Sequence, residues 1–271
     1  MGLRINTNVS ALNAARTLGR STRDLNKSLE RLSSGLRINT AADDAAGLAI
    51  AEGFRSQVRG SQVAQRNSQD GINLVQTAEG ALSETTNILQ RVRELAVQAS
   101  NGTQSTVNRN ALDTEVKQLL QQIDDIALDT QFNGISVLSS NQTVTLQTGA
   151  NVSQLLAVTV EGAKTNDLGV SAVAVSSLTL AVSTISTIDR ALASVNNLRS
   201  NLGAFQNRLE FTITTLAIQE ENAAASESAI RDADIAKETI QFTRNQILVS
   251  SGTSVLAQAN IVPQSALQLL G

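Results

Sequence analysis

Apolar residues recur over the first forty positions at Ile5, Val9, Leu12, Leu18, Leu25, Leu29, Leu32 and Leu36. Steps of three, four and seven place them on one face of a helix. The run stops at "SSGLRINTAADDAAG", where Gly35 fits a C-terminal cap and Asp43 or Asp44 fits the start of a new helix. A second periodic run goes from about Asp44 to Ser100, with Leu82, Leu89, Val92 and Ala96 as its stripe and Ile88, Leu95 and Ala99 widening it. A helix of ~55 residues spans roughly 80 Å, longer than a globular helix and suited to a bundle or coiled coil. Gly47, Gly53, Gly60, Gly71 and Gly80 lower its intrinsic helicity, so packing has to hold it. After a turn at Asn101–Thr103, a third run (Leu112, Val116, Leu119, Ile123, Ile126) makes a heptad seam that ends at "DTQFNG".

The pattern then changes period. "TVTLQ" (Thr143–Gln147) and "AVTVE" (Ala157–Glu161) alternate in twos and are rich in β-branched residues, which predicts one or two small hairpins within residues 135–176. A fourth helix follows, with Ile185, Ile188, Leu192, Val195, Leu198, Leu202, Phe205, Leu209, Ile213 and Leu216 in steps of three and four. A last helix begins after "IRDAD", with the single proline, Pro263, as an expected kink or break. The predicted fold is mostly α: a long antiparallel helical bundle or coiled coil with a small β-hairpin element in the middle.

Composition narrows the chemistry. The 271 residues include no Cys, His, Trp or Tyr and five Phe. That excludes a Ser-His-Asp triad, a thiol nucleophile, a paired-histidine metalloprotease motif and an ordinary structural zinc site. No enzyme activity, cofactor or metal is expected. Asp232 and Asp234 in "RDAD", like Asp43 and Asp44, read as helix starts or a hinge rather than metal ligands. Asn151-Val152-Ser153 matches a glycosylation acceptor pattern, though that pattern belongs to another secretion system.

Charge is uneven. Residues 1–40 carry seven basic side chains against two acidic ones, and residues 209–243 carry seven acidic against two basic. The two ends are therefore complementary, within one chain or between chains. No ring is available near the basic arm to stack on bases, so nucleic acid is not an expected partner. The stretch from Asn245 to Gly271 has no charge at all, yet Gln246, Gln258, Asn260, Gln264 and Gln268 interrupt it too often for a membrane span. No membrane contact and no cleaved apolar leader are expected.

Several long strings carry a family resemblance: "INTNVSALNA" (Ile5–Ala14), "LERLSSGLRINTAADDAAGLAIAEGFRSQVRG" (Leu29–Gly60), "DGINLVQTAEGAL" (Asp70–Leu82) and "LQRVRELAVQAS" (Leu89–Ser100). "DTQFNG" (Asp129–Gly134), "LRSNLGAFQNRL" (Leu198–Leu209) and "GTSVLAQANIVPQSALQLL" (Gly252–Leu270) continue it. Together they resemble bacterial flagellin over roughly residues 1–135 and 180–271. About 45 residues separate the two halves, which resembles a minimal flagellin without large outer domains.

The resemblance implies an architecture and a set of partners. Residues 1–34 and 236–271 would form an inner-core helical coiled coil, 35–43 and 229–235 connecting spokes, and 44–228 an outer-core domain. The chain would be exported through the flagellar type III apparatus and self-assemble outside the cell as a helical homopolymer. Ile5, Val9, Leu12, Leu25, Leu29, Leu32, Ile247, Leu248, Val255, Leu256, Leu267 and Leu270 would be its assembly contacts. Cap and hook-junction proteins and an export chaperone would be further partners. Arg91, Leu95 and Glu115 match the family's surface for a host Toll-like receptor. A hook–filament junction protein and a free-standing coiled-coil adaptor are the alternatives.

Overall fold

The structure, a computed structural model, describes the backbone of residues 7–268 and side chains as far as residue 261. Its elements are α1 (Val9–Ser34), α2 (Ala45–Ala99), α3 (Thr106–Asp129), β1 (Gln131–Phe132), β2 (Ile135–Ser136), β3 (Gln142–Gln147), β4 (Leu155–Val160), α4 (Leu178–Arg231) and α5 (Ile235–Gln268). The mostly helical fold with a small β element is as expected. The chain divides into two compact units, Met1–Ser56 with Asn222–Gly271, and Gln57–Glu221.

The helix ends follow local chemistry. Asn8 caps α1 by accepting from the Ala11 N–H at 3.1 Å. Gly35 closes it in the left-handed region (φ 72°), its N–H donating to Arg31 O at 2.9 Å. Asp44 accepts from the Gly47 N–H at 2.8 Å, so the second of the two candidate aspartates starts α2. Ser105 caps α3, and the Arg109 guanidinium closes the α2–α3 turn by donating to Ala99 O and Asn101 O at 2.9 and 3.1 Å.

The larger unit holds the continuous core. α2 and α4 run antiparallel there: Arg93 pairs with Asp189 at 2.7 Å, Arg199 with Glu79 at 3.5 Å, and Gln62 and Gln65 both donate to Glu220. Val75, Leu82, Leu89, Val92 and Leu95 from α2 bury with Ile188, Val195, Leu202 and Leu209 from α4. α3 adds Val116, Leu120, Ile123 and Ala127.

The α3 stripe is rotated from the expected seam. Leu112, Leu119 and Ile126 are only half-buried, and Asp113 takes a buried place. Its carboxylate accepts from the Val175 N–H at 2.7 Å and from Lys117 at 2.8 Å. Burial works to raise its pKa, but the Lys117 and Val175 bonds outweigh it and the pKa lies below the usual value. Asp124 likewise accepts from the Thr165 N–H at 2.8 Å and from its hydroxyl. Two carboxylates on α3 thus hold down the irregular segment after β4.

Two antiparallel hairpins form: β1 with β2 around Asn133-Gly134, beginning just ahead of the expected residues 135–176, and β3 with β4 inside them, from Gln142↔Val160 to Gln147↔Leu155. β4 alternates exposed and buried, with Leu156, Val158 and Val160 facing the core. The second hairpin lies directly on α2. A Cβ at Gly60 would sit 2.7 Å from Ala150 Cβ and 3.1 Å from its Cα, and one at Gly71 would clash with Leu146. These two glycines cost helix propensity because the hairpin needs their space. Gly80 faces open space.

Gly60→Ala should therefore destabilise the protein by about 1 kcal/mol or more, overpacking exceeding the gain in helix propensity. Gly80→Ala should instead stabilise by roughly 0.5–1 kcal/mol. Thermal unfolding of the two variants checks the opposite signs.

Candidate functional site

In the smaller unit α1 and α5 pack along each other in opposite directions. Arg31 pairs with Glu238 at 3.7 Å, a Cβ on Gly252 would lie 3.2 Å from Leu18, and Asn8 donates to Ala259 O at 2.7 Å. On α1 the residues turned inward are Ala11, Ala14, Leu18, Ser21, Leu25, Ser28 and Leu32. On α5 they are Glu238, Phe242, Asn245, Val249, Gly252, Leu256 and Ala259. Both sets repeat in steps of three and four, the spacing of a coiled-coil seam. Many of these residues are small or polar, and the two most buried ones on α1 are Ser21 and Ser28.

The larger apolar side chains mostly point the other way. Val9 is 57% exposed, Leu12 63% and Ile247 60%; Leu29, Leu248 and Val255 are also exposed. Ile240, Ile247 and Leu248, with the stems of Thr239, Thr243 and Arg244, line one apolar groove on α5. Among the described residues of this unit the buried hydrophobics are Ile38, Ala51 and Ala223. The uncovered residues would favour burial by roughly 1.5–3 kcal/mol each.

The predicted assembly residues therefore separate into two groups. Leu25, Leu32 and Leu256 are half-buried in the seam between α1 and α5 of the same chain. Val9, Leu12, Leu29, Ile247, Leu248 and Val255 are exposed and free to meet another molecule. Ile5 and Leu270 lie outside the described residues, as does the side chain of Leu267. α5 continues through Pro263 to Gln268, so the expected break there does not occur.

The segments between these helices and the rest of the unit are tied backbone to backbone. Leu36 bridges Asp232, the Arg37 N–H donates to Arg231 O at 2.6 Å, and the Ala233 N–H donates to Gly35 O at 2.9 Å. Arg231 reaches Glu52 at 2.8 Å, and Arg55 reaches Glu227 at 3.2 Å. Asp234 caps α5 through the Ala236 and Lys237 N–H groups, and Asp232 accepts from the Ser228 hydroxyl at 2.6 Å. Both carboxylates of "RDAD" are thus employed in ending one helix and starting the next.

Lys27 of α1 meets Asp43 at 2.7 Å. The Lys27 bond, working against burial and helped by the Thr40 and Asn39 N–H groups, lowers the Asp43 pKa to about 2.

In the larger unit Arg91 of α2 donates to Glu115 of α3 at 3.0 Å and to Glu94 at 3.1 Å. Glu115 first, then Glu94, raise the guanidinium pKa above its usual value. Both Arg91 and Glu115 are well exposed, whereas Leu95 is 1% exposed and belongs to the core.

Paired long helices that leave their larger apolar side chains uncovered define a helical subunit that other molecules have to complete. The comparisons give that class its family. Residues 5–143 match the family described as bacterial flagellin N-terminal helical region, and residues 185–270 the bacterial flagellin C-terminal helical region. The flagellin of Halalkalibacterium halodurans is 49% identical over 269 residues, 98% of this chain and 99% of that protein. The flagellar filament 33 kDa core protein of Treponema phagedenis is 45% identical over 283 residues, again 98% and 99%. The flagellin of Bacillus subtilis is 44% identical over 303 residues, 99% of this chain and all of that protein. A solved structure of a putative flagellar hook-associated protein from Vibrio parahaemolyticus shares the fold alone, at 10% identity and a TM-score of 0.58 over 70% of this chain and all of that one. The chain belongs to the bacterial flagellin family.

The Asp43 contact predicts an acid limb. Its pKa is depressed in the folded chain, so its contribution is present above the unfolded value of 3.8 and is lost as pH falls toward about 2. Asp43→Asn should flatten that part of a thermal stability–pH profile while lowering stability at neutral pH.

Proposed function

We propose that this protein is the structural subunit of a bacterial flagellar filament, a helical homopolymer that serves motility. The observation that carries the reading is the outward set on α1 and α5: Val9, Leu12, Leu29, Ile240, Ile247, Leu248 and Val255 are exposed while the seam behind them is already filled. One chain cannot cover these faces with its own helices, and repeated heterologous contacts between identical chains cover them by building an open helix. Family membership supports the same conclusion.

Residues 1–34 and 236–271 act as the inner layer, 35–43 and 229–235 as spokes, and 44–228 as the outer layer. The backbone ties of Leu36 and Arg37 to residues 231 and 232 support the spoke assignment. The subunit is exported before assembly and works outside the cell, with no enzymatic role. Before export the uncovered faces require a chaperone. Cap and hook-junction proteins meet the polymer at its ends and bind the same kind of surface.

A chain lacking residues 245–271 should remain soluble and form no filaments. Electron microscopy of salted-out protein checks this; normal filaments from the truncated chain would show that the ends do not build the polymer.

A second role is recognition of the monomer by a host Toll-like receptor. The exposed Arg91–Glu115 pair supports it. Leu95, being in the core, supports the α2 backbone there and offers no side-chain contact of its own. Arg91→Ala with Glu115→Ala should reduce receptor activation at least tenfold, the scale of an interfacial hot spot of ~2 kcal/mol. An unchanged cellular response would remove this role.

A further inference from the structure

Pro263 lies inside α5, which continues helically on both sides of it. A proline has no N–H, so the carbonyl four residues earlier loses its helical donor, and the ring crowds that same carbonyl. Four residues before Pro263 is Ala259. Its oxygen accepts from Nδ2 of Asn8, at 2.7 Å, across the helix pair. The Ala259 position is on the inward seam of α5, where the lost bond is turned away from easy solvation.

Asn8 is also the cap of α1. Its Oδ1 accepts from the Ala11 N–H at 3.1 Å. One amide therefore satisfies two groups left open by helix geometry: a first-turn N–H of α1 and a proline-orphaned carbonyl of α5. An aspartate would cap as well but has no donor, and a serine offers both functions only on one short hydroxyl, whereas an amide carries its acceptor and its donor on separate atoms. The position needs both.

We infer that Asn8 and Pro263 together form a register lock between the two terminal helices. The need for one follows from the seam. Near Asn8 the inward residues of α1 are Ala11 and Ala14, which leave little shape to distinguish one register from another at that end; the leucines of the seam, Leu18, Leu25 and Leu32, lie further along. Sliding α5 by a full turn moves the orphaned carbonyl ~5.4 Å along the axis, beyond the reach of Asn8. That slip leaves a carbonyl without a donor at a helix interface. The lock acts at one end of the pair, Leu18 over Gly252 acts in the middle, and Arg31 with Glu238 acts at the other end. The uncharged tail thus has a polar contact that depends on position, and proline creates it by removing a bond.

The test compares the full-length chain with Asn8→Asp, Pro263→Ala and the double variant. Aspartate keeps the α1 cap and loses the donor; alanine at 263 restores the N–H that Ala259 O lacks. Asn8→Asp should raise the critical concentration for polymerisation about fivefold, the loss of one hydrogen bond. In the Pro263→Ala chain the same substitution should change it less than about twofold. If Asn8→Asp forms no polymer at all, the double variant has to restore it. An equal defect in both backgrounds overturns the lock.

Polymer as a readout rests on the self-assembly reading, and the wild-type chain separates the two. If wild type forms no polymer, that reading fails, and the same comparison is read as hydrogen exchange of the first turn of α1 in the soluble chain. A further check needs no substitution. Solid-state NMR of labelled wild-type polymer should show Asn8 Nδ2 in contact with the Ala259 carbonyl carbon, and absence of that contact overturns the lock.

Discussion

The constraint behind this protein is that its two terminal helices meet through a narrow seam. Ser21, Ser28, Ala11 and Ala14 on one side, and Gly252, Asn245 and Ala259 on the other, alternate with only a few large apolar residues and let two helices lie together while burying little. Many of the larger apolar residues are then left on the outside. Hydrophobic burial is the main favourable term in folding, and here a large part of it is deferred until other molecules arrive. The remaining design follows: a separate unit with its own core, ties that hold the spoke segments, and polar contacts that set how α1 meets α5.

The larger unit solves the opposite problem. It is poor in rings, with only Phe132 and Phe205 packed against the edge of its core, so that core is built from Leu, Ile, Val and Ala along helices laid side by side. The hairpin completes one face, and α2 gives up two side chains at Gly60 and Gly71 to receive it. Asp113 and Asp124 anchor the following segment through backbone N–H groups rather than through apolar mass. Stability here is complete within the chain, while in the smaller unit it is not.

Much of this was legible from spacing alone. Gly35 as a cap, a new helix at Asp44, the turn at Asn133-Gly134 and the alternation of β3 and β4 all depend on local rules, and local rules are written in short strings. The α1 seam was legible only in part. The pattern marked Leu18, Leu25 and Leu32, which do turn inward, but Leu12 and Leu29 stand at the same spacing and are exposed, while the serines and alanines between the inward leucines are not marked by a hydrophobic pattern. For α3 the same blindness hid Asp113: a carboxylate in a buried stripe makes sense only once the Val175 N–H is seen beside it. Pro263 read as a break because its compensating donor, Asn8, is at the other end of the chain. Arg91 and Glu115 meet across α2 and α3, a pairing that spacing does not show, while Leu95 lies in the core as its place in the apolar stripe of α2 suggests.

The seam of serines has a consequence for how such a sequence can change over generations. On most surface helices one face is constrained and the other drifts. On α1 enlarging Ser21 or Ser28 would push α5 away, and altering Val9, Leu12 or Leu29 would alter the surface offered to every neighbour at once. Neither side of the helix is spare. Diversity has to be accommodated elsewhere, and the tip of the second hairpin, where Val152 stands almost fully exposed, is a place with that freedom.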